Sequence, residues 1–323
     1  MMKPRVIVTR RWPAAVEHVL AERFDATFNK GDTPFGEHQL KAALLDFDAV
    51  LPTVSDRLPR AIFPRANGRA RLIANFGVGF SHIDIEAARE QGISVTNTPG
   101  VLTDCTADLA MSLLLSVARR TGEGERELRA SEWQGWRPTH MIGTKVSGKT
   151  LGIVGMGRIG KAMARRAHFG FGMKIVFHNR SRADDADIRA MNAEQLPTIE
   201  DVLAASDFVS LHCPGGTENR HLMNARRLDA MKPGAFLVNT ARGDVVDQEA
   251  LIAVLQAGRI AGAGLDVFAD EPNVPEALTR LENVVLLPHL GSATEETRGA
   301  MGMKVVENLV AFFEGRPVPD RVA

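Results

Sequence analysis

Short β-branched apolar runs alternate with helix-like segments almost from end to end. The runs are RVIVT (5–9), DAVL (48–51), RLIAN (71–75), ISVTN (93–97) and TLGIVG (150–155). They continue with MKIVFH (173–178), DFVSLH (207–212), AFLVNT (235–240), GAGLDV (262–267) and NVVLLP (283–288). Most are apolar at nearly every position, as parallel strands covered on both faces require. The alternation predicts an α/β protein with doubly wound parallel sheets. No repeat of fixed period and no low-complexity tract interrupts it.

A turn at NTPG (97–100) marks a boundary. Beyond it Leu102, Thr106, Leu109, Ala110, Leu113, Leu114 and Val117 share one helical face, which predicts a long helix. Residues 121–149 are polar, with Trp133 and Trp136 among them. After Pro288 the chain predicts one helix, about 293–314, with Met, Val, Leu and Phe on one side.

A length of 323 residues suits two domains, each large enough for its own core. Lys+Arg and Asp+Glu both number 39, so no global charge draws the chain to nucleic acid or an anionic membrane. Cys105 and Cys213 form no CxxC and suit no zinc spacing, so no metal site and no disulfide framework is expected. A reducing cytoplasm follows. The start, MMKPRVIVTRRW, has no apolar h-region and reads as a first strand rather than a signal peptide. No apolar run approaches the roughly 18 residues of a spanning helix.

GMGRIG places Gly155, Gly157 and Gly160 in a G-x-G-x-x-G spacing, with Arg158 and Ile159 between the last two. The motif follows a predicted strand and opens the helical stretch RIGKAMARRAHFG, the context that gives it weight. The glycines allow a tight turn, backbone approach to a pyrophosphate and close packing of helix on strand. The helix N-terminus offers N–H groups to the phosphates. An acid holding the ribose of NAD is expected about 20 residues on. Asn179 stands there, 19 residues past Gly160 (179 − 160), followed by Arg180, Ser181 and Arg182. Asn does not repel a phosphate, arginine grips one bidentately, and serine adds a hydroxyl. The loop predicts NADP(H) as the preferred cofactor, with NAD(H) as the alternative.

Three further residues combine charge with predicted strand ends. Arg242 follows AFLVNT, Glu271 follows Asp266 in GLDVFADEP, and His289 follows VVLLP. Ligands of doubly wound sheets bind at the carboxyl ends of strands. The set suits reduction of a ketone by hydride from a nicotinamide. His289 supplies the proton, since imidazole ordinarily titrates near neutrality. Glu271 accepts the other ring N–H. Arg242 grips a carboxylate and polarises the carbonyl. His82, His140 and His178 have no comparable setting, and His212 reads as structural.

Taken in order, NFGVGFSHID (75–84), NTPGVLTDCTADLA (97–110), GKTLGIVGMGRIG (148–160), LVNTARGDVVD (237–247), GAGLDVFADEP (262–272) and LLPHLGSAT (286–294) resemble the D-2-hydroxyacid dehydrogenases. Within that family the chain looks most like the NADPH-dependent glyoxylate/hydroxypyruvate reductases. The resemblance implies Arg242, Glu271 and His289 as the catalytic set. It implies that backbone N–H groups of Val78 and Gly79 hold the substrate carboxylate and that Ser292 lies near the substrate. It implies cofactor-lining roles for Cys213, Pro214 and Thr240, and Asp266 as the holder of the carboxamide. It implies a homodimer in which Trp136 of the partner subunit closes the pocket. It also implies an architecture: a Rossmann cofactor domain, 101–288, inserted into a flavodoxin-like substrate domain. The latter comprises residues 1–100 and a returning helix in 289–323, with the cleft between the two.

The chain departs from the family pattern twice. Pro214-Gly215-Gly216 stands where Pro-Leu-Thr is common, and Asp108 stands where Glu is usual. The expected activity is NADPH-dependent reduction of glyoxylate and hydroxypyruvate. A larger 2-oxo acid such as 2-ketogluconate or an aryl pyruvate is the alternative, set by residues such as Thr53, Val54 and Phe76. A dinucleotide-sensing, corepressor-like binding protein is the reading from a different class. Formate dehydrogenases of the family carry Gln at the position of Glu271, and phosphoglycerate dehydrogenases often carry a further regulatory domain. Neither pattern is expected here.

Overall fold

The apolar runs become parallel strands in a computed structural model that describes residues 2–64 and 68–323. The chain divides into two units, one formed by the sequence up to Leu102 with Ala293–Ala323, the other by Thr103–Ser292. Among the described residues the first unit holds five strands: β1 (Arg5–Val8), β2 (Asp25–Phe28), β3 (Ala49–Leu51), β4 (Leu72–Ala74) and β5 (Ser94–Thr96). They lie in the parallel order β2-β1-β3-β4-β5. Val6 lies opposite Ala49 in the β1–β3 pair, and Ile73 opposite Val95 in the β4–β5 pair. Leu40, Leu44, Ile62 and Ile83 belong to the core on one face of this sheet. On the other face Val16 and Leu20 meet Val305, Val306 and Leu309 of the terminal helix Glu295–Phe313. Gly302 allows that approach, because a Cβ there would lie 2.6 Å from Val16.

Among the described residues the second unit holds seven strands. They are β6 (Thr150–Val154), β7 (Lys174–His178), β8 (Glu194–Gln195), β9 (Phe208–Leu211), β10 (Phe236–Asn239), β11 (Gly262–Leu265) and β12 (Val284–Leu286). All are parallel, in the order β12-β11-β10-β9-β6-β7-β8. The chain runs outward from β6 to β8 in one direction and from β9 to β12 in the other. The reversal between β6 and β9 is a topological switch point, where such sheets bind ligands. The helix Thr103–Ala118 contributes Ala110, Leu113, Leu114 and Val117 to the core beside this sheet.

Two strands differ from the pattern that revealed the others. β2 has an alternating exposed and half-buried pattern, and β8 is two residues long. Both are edge strands, which lack the doubly covered apolar signature. The helix after GMGRIG is regular only over Arg158–Arg165 and continues as a wider π-type turn over Arg166–Gly170. The second unit extends through Ser292 rather than ending at Pro288. Its last turn is tied to β11: His289 N donates to Asp266 O at 2.9 Å, and Leu290 and Gly291 donate to the Asp266 carboxylate. No helix among the described residues is long and apolar enough to cross a membrane.

Candidate active site

Arg242, Asp266, Glu271 and His289 all follow strands of the second unit at their carboxyl ends. Glu271 Oε2 lies 2.8 Å from His289 Nδ1. A carboxylate only accepts, so Nδ1 carries the proton of this bond and Nε2 remains for a ligand. Glu271 Oε1 accepts from Phe268 N at 3.0 Å, which fixes the carboxylate from behind. Burial works to raise the Glu271 pKa. The His289 bond and charge, the Phe268 N–H and the charge of Arg242 outweigh it, and the carboxyl lies below its ordinary value. Glu271 therefore stays ionised across the neutral range.

His289 has φ +55, a left-handed conformation that costs a non-glycine residue roughly 1–2 kcal/mol. Asp266 holds it there. This fully buried carboxylate accepts from Leu290 N at 2.6 Å through Oδ1 and from Gly291 N at 2.8 Å through Oδ2. Thr106 Oγ1 adds a bond to Gly291 O at 2.8 Å. Burial raises the Asp266 pKa, against the pull of the Leu290 amide, the His289 charge and the Gly291 amide. Asp266 thus anchors the histidine turn, a role its place at a strand end did not reveal.

Asn239 does the same for Arg242. Its Nδ2 donates to Arg242 O at 2.9 Å and its Oδ1 accepts from Ala241 N at 3.0 Å. Asn239 is the polar residue that closes the buried strand β10. Burial lowers the Arg242 pKa from its ordinary value, against the charges of Glu271 and Asp244. An arginine remains a cation regardless.

At the first departure from the family pattern the loop backbone packs closely. A Cβ on Gly215 would lie 2.7 Å from Arg242 Cγ and 2.7 Å from Asp244 Oδ1. Gly216 N donates to Asp244 Oδ2 at 2.8 Å. The paired glycines let the Arg242 stem and the Asp244 carboxylate pack on the loop backbone. The second departure, Asp108, reaches Arg166 Nε at 2.6 Å.

The glycine loop lies at the switch point. Gly155 has φ +96, and a Cβ there would lie 2.8 Å from Cys213 N; one on Gly160 would lie 2.3 Å from Gly155 O. A Cβ on Gly157 would meet nothing within 4 Å, so backbone is open to a ligand there. Arg158 and Ile159 begin the helix above it. Cys213 and Pro214 follow β9 across the same crevice. Thr240 Oγ1 is buried with no hydrogen-bond partner among the described residues. The open glycine, the helix N-terminus and the orphaned hydroxyl fit a dinucleotide.

At the end of β7, Asn179 Oδ1 accepts from Met156 N at 2.7 Å, so this residue braces the glycine loop. Arg180 pairs with Glu218 at 2.8 Å, and both are exposed. Asn179, Arg180, Ser181 and Arg182 line a cavity of about 740 Å³, with Arg189 on its wall. His212 contacts Ser210 Oγ at 2.9 Å, and loss of solvent lowers its pKa to about 4. Between about 6.5 and 4 the unfolded chain binds a proton that the folded chain refuses. Stability therefore falls as pH drops through that window and levels off below it. Denaturant titrations at pH 7, 5.5 and 4.5 are expected to show a shallower decline for His212→Gln than for the wild type.

Val78 and Gly79 are in the loop after β4 of the first unit, both half-buried, and Thr53 follows β3. Ser292 is the half-buried last residue of the second unit. Trp136 is 81% exposed and Trp133 is 51% exposed, in the segment beyond the helix Thr121–Arg129.

Comparison with known proteins gives the family. The profile of the D-isomer specific 2-hydroxyacid dehydrogenase NAD-binding domain matches residues 111–291. A protein named glyoxylate reductase from Thermococcus litoralis is 45% identical over 99% of this chain and 97% of its own. An NADPH-dependent glyoxylate/hydroxypyruvate reductase from Sinorhizobium meliloti, solved in complex with NADP and malonate, superposes with TM-score 0.87. It is 37% identical and covers 99% of this chain and 97% of its own. The D-mandelate dehydrogenase of Rhodotorula graminis superposes with TM-score 0.89 at 30% identity, covering 100% of this chain and 98% of its own. The chain belongs to the D-isomer specific 2-hydroxyacid dehydrogenase family. It is an oxidoreductase that interconverts 2-oxo and 2-hydroxy acids, with a central domain of the NAD-binding type.

Proposed function

We propose that this protein is an NADPH-dependent reductase of small 2-oxo acids, glyoxylate and hydroxypyruvate, with His289 as the proton donor. The observation that carries this reading is the His289–Glu271 pair at 2.8 Å, on the same sheet edge as Arg242. A bound nicotinamide supplies the hydride. His289 Nε2 gives its proton to the carbonyl oxygen as charge develops there, and Glu271 holds the ring by Nδ1. Arg242 binds the carboxylate beside that carbonyl and stabilises the developing negative charge. Val78 and Gly79 offer backbone N–H groups to the same carboxylate, and Ser292 lies against the substrate.

The glycine loop from Gly155 to Gly160, with Arg158, Ile159, Cys213, Pro214 and Thr240, holds the pyrophosphate and adjoining groups, and Asp266 serves the carboxamide. Arg180, Ser181 and Arg182, beside the bracing Asn179, read the 2′-phosphate. The Sinorhizobium reductase, solved with NADP, and the archaeal glyoxylate reductase support the cofactor and the substrate by their names. Exposed Leu128, Trp133, Trp136 and Ile142 give the 128–142 segment apolar surface, which supports a homodimer closed by Trp136 of each subunit. A cytoplasmic location belongs to the same proposal.

The test is initial rates with glyoxylate, hydroxypyruvate and 2-ketogluconate, each against NADPH and NADH. Turnover of the two small acids with a strong NADPH preference is expected. Equal or better turnover of 2-ketogluconate would remove the small-acid assignment, and turnover with NADH alone would remove the cofactor assignment.

A further inference from the structure

The loop after β4 has its carbonyl groups tied inward. Gly77 O accepts from Asn75 Nδ2 at 3.0 Å and from Thr98 N at 3.1 Å. Val78 O accepts from Asn97 Nδ2 at 2.8 Å. Gly79 O accepts from Asn75 Nδ2 at 3.1 Å. In a trans peptide the carbonyl of one residue and the N–H of the next point in opposite directions. Tying Gly77 O therefore turns the Val78 N–H outward, and tying Val78 O does the same for the Gly79 N–H. Neither N–H donates to a protein acceptor among the described residues. Successive outward N–H groups of this kind form an anion-binding concavity.

We propose that Asn75 and Asn97 are positioning residues that hold this loop as the nest for the substrate carboxylate. The inference rests on the reading that Val78 and Gly79 bind that carboxylate, and it assigns the side chains that aim them. Asn75 is fully buried, and its amide orientation is fixed by chemistry. Both Nδ2 hydrogens go to carbonyl oxygens, so Oδ1 faces His82 Nε2, 3.0 Å away, and His82 is the donor of that bond. Reversing the amide would set oxygen against the oxygens of Gly77 and Gly79 and leave the buried donors unmet, a costly arrangement. Asn97 is half-buried and controls one peptide plane only.

The experiment measures KM and kcat for glyoxylate, and the Kd of NADPH, in three variants of the full chain. Asn75→Asp places a carboxylate oxygen against two carbonyls; KM is expected to rise by tenfold or more. Asn97→Ala frees the Val78–Gly79 plane, with a rise of several-fold. In both, kcat is expected to stay within about threefold and NADPH binding to be unchanged, a split that general loosening of the fold would not produce. Val78→Pro deletes one of the N–H groups outright. If Val78→Pro raises KM while Asn97→Ala leaves it unchanged, the loop binds the carboxylate and the positioning role is overturned. If Val78→Pro also leaves KM unchanged, the carboxylate reading itself falls. Should Asn75→Asp fail to fold, Asn97→Ala decides. Equal losses of kcat and NADPH affinity in Asn97→Ala would overturn the proposal as well.

Discussion

Replacing His289 by alanine is expected to lower kcat by about 10²–10⁴, the usual scale for loss of a positioned general acid. Glu271 accepts from the Nδ1–H at 2.8 Å, so only Nε2 is available to the carbonyl oxygen. His212 also follows a strand of the second unit, but its ring contacts Ser210 Oγ at 2.9 Å, whereas His289 is bonded to Glu271. The backbone at 289 has φ +55, so alanine would bear a strain that the wild type already bears through the Asp266 anchor. Asparagine tolerates the left-handed region better. His289→Asn is therefore the second variant: it keeps the turn and removes the acid. Both variants are expected to bind NADPH with wild-type Kd, measured by fluorescence titration, while kcat falls. A kcat near wild type in either would remove His289 from the proton step. A fall in alanine alone would assign the loss to the turn instead of the chemistry.

How far this site was legible depended on what each residue does for its neighbours. Arg242, Glu271 and His289 stood out because they are charged or titratable and follow apolar runs. That contrast survives in a linear sequence. The residues that aim them did not stand out, because their work is done through bonds across the fold. Asp266 stood out as a candidate ligand holder, but nothing local showed that its oxygens also take the amides of the 290–291 turn. Asn239, Asn75 and Asn97 are short polar residues at strand ends, where many such residues merely cap or turn the chain. Nothing local says which carbonyl each will reach.

The same holds for the fold. Strands covered on both faces were visible as continuous apolar runs, whereas the edge strands β2 and β8 had no such signature. The Gly215–Gly216 pair looked like a lost phosphate contact. A Cβ at Gly215 would lie 2.7 Å from the Arg242 stem, a contact across the fold that the linear sequence does not show.

Cofactor preference offers the second large effect. The variant Asn179→Asp, Arg180→Ala, Arg182→Ala is expected to shift the ratio of kcat/KM for NADPH over NADH by about 10² toward NADH. Two charge-assisted contacts to a phosphate, discounted for their exposure to solvent, account for that scale. The new acid also repels the 2′-phosphate and accepts from ribose hydroxyls. Asn179 carries a complication. Its Oδ1 receives the Met156 amide at 2.7 Å, and aspartate retains an acceptor for that bond, so the glycine loop is expected to keep its shape. The single change Glu218→Gln separates the contributions. Arg180 is paired with Glu218 at 2.8 Å, so a 2′-phosphate must compete with an existing carboxylate. Removing the charge is expected to lower the NADPH KM by about two- to fivefold, the range of an exposed ion pair. The NADH KM should stay constant. The two variants thus move the preference in opposite directions. An unchanged ratio in the triple variant would show that the arginines only solvate the surface. A triple variant that shifts without any response to Glu218→Gln would place the phosphate on Arg182 rather than Arg180.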